Sequence, residues 1–210
     1  MKKMIKAILI LAASLLPLAA IATPLAYVEG VHYKPTTQRI ATSDEKVVEV
    51  IELFSYSCPH CFNLDPQIKQ WEKTLPENVS FSRVPAIFRD SWLQLARVFY
   101  AAEATGDLEK LHSVIFNAIH VEKRRLETED QLLDFVAEQG IDRDMFAKTM
   151  DSFSVKGKVK KALLLSQKSG ITGVPSIMVN GKYIVDAPMA GGMTELLQVV
   201  DFLIQQESNK

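Results

Sequence analysis

Val47-Val48-Glu49-Val50-Ile51-Glu52-Leu53, followed at once by Phe54-Ser55-Tyr56-Ser57-Cys58-Pro59-His60-Cys61, is the stretch around which the chain is organised. Its first seven residues are rich in β-branched side chains and mostly apolar, which predicts a strand buried on both faces. Pro59 lacks an N–H and has its φ preset, so it suits the first position of a helix. Cys58 then falls at the cap, where the backbone N–H groups of His60 and Cys61 point at its sulfur. Those donors and the positive end of the helix dipole favour a thiolate. Cys61, one turn further in, is near enough to close a disulfide.

These are the only two cysteines among 210 residues, and a C-x-x-C that follows a strand and opens a helix reads as a thioredoxin-like redox site. Phe-Ser-Tyr-Ser-Cys-Pro-His-Cys, with Thr172-Gly173-Val174-Pro175 more than a hundred residues later, resembles the DsbA group of periplasmic thiol oxidases. The similarity covers the whole mature chain. Cys-Pro-His-Cys is more specific than a bare C-x-x-C, because ordinary thioredoxins carry Gly-Pro between the cysteines.

The resemblance implies an α/β, thioredoxin-like fold with an inserted all-helical domain. It implies an oxidoreductase that donates a Cys58–Cys61 disulfide to newly exported, unfolded polypeptides through a mixed disulfide, with no cofactor beyond that disulfide. Reoxidation would come from a membrane oxidase resembling DsbB, and the protein is expected to be a monomer. In this family the proline matching Pro175 is cis and faces the cysteines, and the residue before it, here Val174, offers backbone hydrogen bonds to an extended substrate. Glu52, an odd residue in a mostly apolar strand, would be a buried acid near the pair that accepts a proton during turnover. Its alternative is a strand-end glutamate reaching solvent.

Residues 1–22 read as a secretory signal peptide: Lys2, Lys3 and Lys6, then an apolar stretch from Ile8 to Leu18, then Ala20-Ile21-Ala22 as a small-x-small cleavage site. The apolar run is shorter than the about 20 residues a membrane span needs. Cleavage after Ala22 would place the protein in the periplasm, where disulfides persist. It removes three lysines and no acid, so the formal charge of −1 becomes more negative, and nothing suggests nucleic acid. Two cysteines are too few for a stabilising framework, and a staple over so short a loop gains little entropy. Metal binding lacks a second C-x-x-C or ligand pair.

The mature chain divides into a first thioredoxin-like part (23–89), a helical insertion (90–169) and a second thioredoxin-like part (170–210). Tyr33-Lys34-Pro35 suggests an edge strand. Asp65-Pro66 should interrupt and kink the helix that begins at Pro59. Val79 to Val84 alternates as the next strand. Leu108, Leu111, His112, Ile115, Phe116 and Ile119 share one helical face, and His112 there is expected to be a satisfied core residue. Thr128-Glu129-Asp130-Gln131 is a capping box, and Asp142 can cap the next helix. Asn180-Gly181 between Ser176–Val179 and Lys182–Val185 is a hairpin turn, and a last helix begins near Thr194. Lys156, Lys158, Lys160, Lys161 and Lys168 read as a solvated face. Met178, Met189 and Met193 are placed either to border a peptide groove or to pack inside.

A better stabilised thiolate is a better leaving group, so its own disulfide is more readily broken. If the helix start and protonated His60 lower the Cys58 pKa by about two units below ambient pH, the reduced state gains about 2.7 kcal/mol, or roughly 60 mV of oxidising power. The alternatives are an isomerase or reductase on the same fold, and a peptide-binding chaperone whose cysteines are an inert staple. Isomerases of the DsbC kind carry an extra N-terminal dimerisation domain, and only about 25 mature residues precede the first core strand here. A surface histidine in place of a tuning one is the plain alternative for His60.

Overall fold

The structure is a computed structural model that describes residues 27–209; the signal peptide expected over residues 1–22 lies outside the described residues. The elements run β1 (Lys34–Pro35), β2 (Val48–Phe54), α1 (Pro59–Glu72), β3 (Val79–Pro85), a 3-10 turn (Asp90–Trp92), α2 (Leu93–Thr105), α3 (Leu108–His120), α4 (Glu129–Glu138), α5 (Arg143–Met150), α6 (Phe153–Ser169), β4 (Ser176–Val179), β5 (Tyr183–Asp186), α7 (Ala187–Ala190) and α8 (Met193–Ser208). The five strands form one sheet in the order β1-β5-β4-β2-β3. β2 lies parallel to β3 and antiparallel to β4, so neighbours flank it on both sides, as its apolar run predicts.

Side chains alternate across a strand, and β2 shows what that does. Val48 and Val50 pack with Leu64 and Ile68 of α1 and Val200 of α8 on one face. Ile51 and Leu53 pack with Met178 and Ile184 on the other. Glu52 has the parity of Val50 and Phe54, so it faces α1 rather than solvent. At its end β2 changes company. Phe54, Tyr56 and Cys61 belong to the same core as Leu111, Ile115 and Phe116 of α3. The redox turn is therefore built at the seam between the sheet and the helices that lie between β3 and β4.

Two local expectations turn out differently. α1 continues without a break through Pro66 to Glu72; Pro66 is exposed, so its ring is accommodated on the solvent side. The short helix α7 has no counterpart in the sequence reading. Asp186 caps it, accepting the Met189 N–H at 3.0 Å, and Pro188 sits in its first turn, where a missing N–H is harmless. At the β4–β5 hairpin Asn180 and Gly181 take φ values of 51° and 61°, the pair of left-handed residues such a turn demands.

Candidate active site

The site begins with how β2 hands over to α1. The Cys58 N–H donates to the Ser55 carbonyl at 3.0 Å, and the Ser57 N–H donates to Ser55 Oγ at 3.2 Å. This closes a tight turn and leaves Cys58 at the N-cap in extended conformation (φ −92°, ψ 117°), with Pro59 at the first helical position. As a thiol, Cys58 makes no capping hydrogen bond there. Its Sγ instead donates to the Val174 carbonyl at 3.3 Å. The Val174-Pro175 peptide bond is cis, and it leads into β4, which pairs with β2 so that Ser176 lies opposite Leu53.

The two thiols sit in opposite environments. Cys58 is partly exposed and Cys61 is buried. The Cys58 pKa is lowered to about 6, first by a hydrogen bond from the Cys61 thiol, then, against the cost of burial, by the backbone N–H groups of Cys61 and His60 and by the nearby His60 imidazole. Burial pushes Cys61 far up, and Cys58 and the charge of Glu52 add to the effect. His60 itself is exposed, and its influence ranks behind the thiol and the helix start.

Glu52 is only 3% exposed, which rules out a glutamate reaching solvent. Its Oε2 lies 3.1 Å from Arg83 Nε. Burial raises its pKa to about 7, with Asp65 and Glu72 adding and Arg83 opposing. Deeper along α1, Asp65 Oδ1 accepts from His112 Nε2 at 3.1 Å, and Asp65 Oδ2 pairs with Lys69 at 2.9 Å. Burial works against the Asp65 charge, but these two partners outweigh it and hold the carboxyl below its usual range. Burial pushes the His112 pKa down, so its neutral ring accepts a hydrogen bond from the Tyr56 hydroxyl at Nδ1, 2.9 Å away, while donating to Asp65 from Nε2. Arg83 Nη2 approaches Asp65 Oδ1 at 3.9 Å, so Tyr56, His112, Asp65, Arg83 and Glu52 form one largely buried polar chain.

Of the residues singled out in the sequence, Cys58, Pro59, Cys61 and Val174-Pro175 come together at the end of the sheet, with Glu52 buried behind them. His60 and Pro175 line a largely apolar cleft of about 420 Å³ with Thr172, Asp186, Pro188 and Met193. Met178 is interior. The sequence reading missed Asp65 and Arg83 as partners of Glu52. One signal was available: Cys61, Asp65 and Lys69 follow at intervals of four, so they share a helix face.

Comparison with known proteins agrees with this geometry. The model of the DSBA-like thioredoxin domain family matches residues 76–198, a span that begins beyond the cysteine pair. Full-length relatives include it. A thiol:disulfide interchange protein DsbA from Azotobacter vinelandii is 40% identical over 210 residues, covering 99% of this chain and 98% of its own. One from Pseudomonas aeruginosa is 38% identical over 207 residues, covering 99% and 97%. The crystal structure of Pseudomonas aeruginosa DsbA superposes with a TM-score of 0.82 at 39% identity, covering 86% of this chain and 94% of that one.

Proposed function

This chain belongs to the DsbA family and is a thiol:disulfide oxidoreductase, and from that premise we propose how its residues divide the work. A thiolate of an unfolded, newly exported polypeptide attacks Cys58 Sγ of the Cys58–Cys61 disulfide. A substrate–Cys58 disulfide forms, the Cys58–Cys61 bond breaks, and the electron pair leaves on Cys61. A buried sulfur with a strongly raised pKa does not remain an anion, so Cys61 takes a proton. Glu52, whose pKa of about 7 leaves it partly protonated near neutrality, is the group we assign to give that proton. It takes the proton back when Cys61 is reoxidised. A second substrate thiolate then attacks the substrate sulfur of the mixed disulfide and expels Cys58 as thiolate. The substrate loses two electrons and the cysteine pair gains them.

The observation that carries this reading is the split between the two cysteines: one partly exposed with its pKa near 6, the other buried with its pKa far up. Relative to a thiol titrating at 9.0, the Cys58 anion favours the reduced state at pH 7 by at most about 1.4 kcal/mol, roughly 30 mV for a two-electron couple, before solvent screening lessens it. The sign favours giving disulfides away. An inert staple accounts for neither the exposed, acidic sulfur nor the cleft beside it.

Val174 and Pro175 are assigned to substrate binding, with an extended peptide lying along the loop and its apolar side chains in the cleft that His60, Pro175 and Met193 line. A monomer acting in the periplasm, with a DsbB-like membrane oxidase to regenerate the disulfide, completes the proposal; the signal peptide read from residues 1–22 supports export. No helix among the described residues is long and apolar enough to cross a membrane. The test is stoichiometric transfer. Mixing the oxidised protein with a reduced, unfolded polypeptide that has two cysteines should form one substrate disulfide for each Cys58–Cys61 pair reduced. Full retention of the protein's own disulfide under those conditions would contradict the proposal.

A further inference from the structure

α3 holds Tyr56, the residue two before Cys58, at both ends. His112 engages its hydroxyl at 2.9 Å. His120, the last residue of α3, hydrogen-bonds through Nε2 to the Tyr56 carbonyl at 2.8 Å. The same His120 ring lies flat on Phe62, the residue after Cys61, with centroids 5.1 Å apart and planes inclined by 19°. One side chain from the helical block therefore touches the chain on both sides of Cys58-Pro59-His60-Cys61.

The contact with the carbonyl matters because of what it fixes. The peptide unit between Tyr56 and Ser57 is held at its C=O by His120 and at its N–H by Ser55 Oγ. The next N–H, that of Cys58, is held by the Ser55 carbonyl. With both sides of that plane fixed, the direction in which Cys58 leaves the turn is fixed too, and with it the approach of its sulfur to the helix N–H groups and the Cys61 thiol. Tyr56 is buried, so a carbonyl released from His120 has little water to turn to. It must rotate to find another donor, and the rotation carries Ser57 and Cys58 with it.

We propose that His120 is a positioning residue for the redox pair, acting through its hydrogen bond to the Tyr56 carbonyl to hold Cys58 where its thiolate is stabilised. The inference rests on the reading of Cys58 as the sulfur that exchanges with substrate. It differs from a general contribution to folding in one respect. Losing a bond that supports the fold equally in both redox states lowers the stability of both and leaves the equilibrium with glutathione unmoved, whereas losing a bond that positions the thiolate changes only the reduced state.

The test uses the full mature protein with three substitutions: His120→Ala, His120→Phe, which keeps the stack on Phe62 but has no donor, and His120→Gln, whose amide nitrogen can take the place of Nε2. The readouts are the equilibrium constant with glutathione and the Cys58 thiolate titration followed by ultraviolet absorbance. The alanine and phenylalanine variants should shift the equilibrium toward the disulfide form by about fivefold, the factor carried by one hydrogen bond's net contribution, and raise the Cys58 pKa. The glutamine variant should restore both. If the alanine variant fails to fold, the phenylalanine and glutamine pair decides alone. The inference is overturned if the phenylalanine variant keeps wild-type values, or if glutamine is as impaired as phenylalanine. A wild-type protein that does not exchange with glutathione at all would instead sink the reading of Cys58 itself.

Discussion

Helices α4, α5 and α6 begin in one way and α1 in another. Thr128 accepts the Gln131 N–H while Gln131 reaches back to the Thr128 N–H, a complete capping box. Asp142 accepts from Met145 at 2.8 Å, and Ser152 accepts from Val155 at 3.2 Å. In each, an oxygen satisfies an N–H that the helix leaves unpaired. Cys58 occupies the same cap position with similarly extended backbone, but its thiol makes no such bond. The N–H groups of His60 and Cys61 stay available for a charge that exists only in the reduced protein. The same local device serves stability at α4, α5 and α6, and at α1 it makes one redox state more favourable than the other.

The sharpest break in this comparison is Cys61→Ala. It removes the largest contribution to the Cys58 shift and the sulfur with which Cys58 forms the disulfide that is donated. Turnover of protein substrates should be lost, Cys58 should titrate closer to an ordinary thiol, and covalent substrate adducts should accumulate on non-reducing gels. An unchanged Cys58 titration in this variant would show that the helix start alone acidifies it.

Glu52→Gln comes next. A carboxyl whose folded pKa is raised from 4.5 to about 7 binds its proton more tightly in the fold than in the unfolded chain. Its contribution therefore favours the fold below pH 4.5 and is lost as pH climbs to about 7. The difference is about 3 kcal/mol once fully lost. Denaturant unfolding of the oxidised wild type and variant across this window should give a difference curve with that slope. Parallel curves would place Glu52 in a more solvated setting than its burial indicates.

Thr128→Ala probes the ordinary caps. It should cost about 1 kcal/mol of stability while leaving the equilibrium with glutathione where it was. His60→Ala should have the smallest effect: the fold intact and a slight rise in the Cys58 pKa, because its influence ranks last among those that lower it. A larger shift than that produced by Cys61→Ala would reverse the order drawn from the geometry.

What was legible in the sequence is what depends on neighbours along the chain. Pro59 after Cys58 announces the helix start, Thr128 and Gln131 announce the capping box, and Asn180-Gly181 announces the hairpin, because each acts within three or four residues. The resemblance supplied Val174-Pro175 opposite the cysteines. The polar chain behind the site was not legible. Whether Glu52 meets Arg83 or water depends on β3 lying parallel to β2 in one register, with Glu52 opposite Arg83. Whether His112 and His120 reach Tyr56 depends on where α3 packs against the turn, more than fifty residues away in the chain. The contribution of Cys61 was not legible for a related reason: adjacency in sequence does not reveal that the buried Cys61 thiol lowers the Cys58 pKa most.

The central claim is that the start of α1 and the buried Cys61 thiol make Cys58 acidic, and a thiolate titration of the reduced protein tests it most directly. Followed by ultraviolet absorbance, one thiol should ionise near pH 6 and be the one that alkylating reagents modify, while Cys61 stays protonated through the accessible range. A single transition near the free-cysteine value of about 8.5, or modification of Cys61 before Cys58, would contradict it.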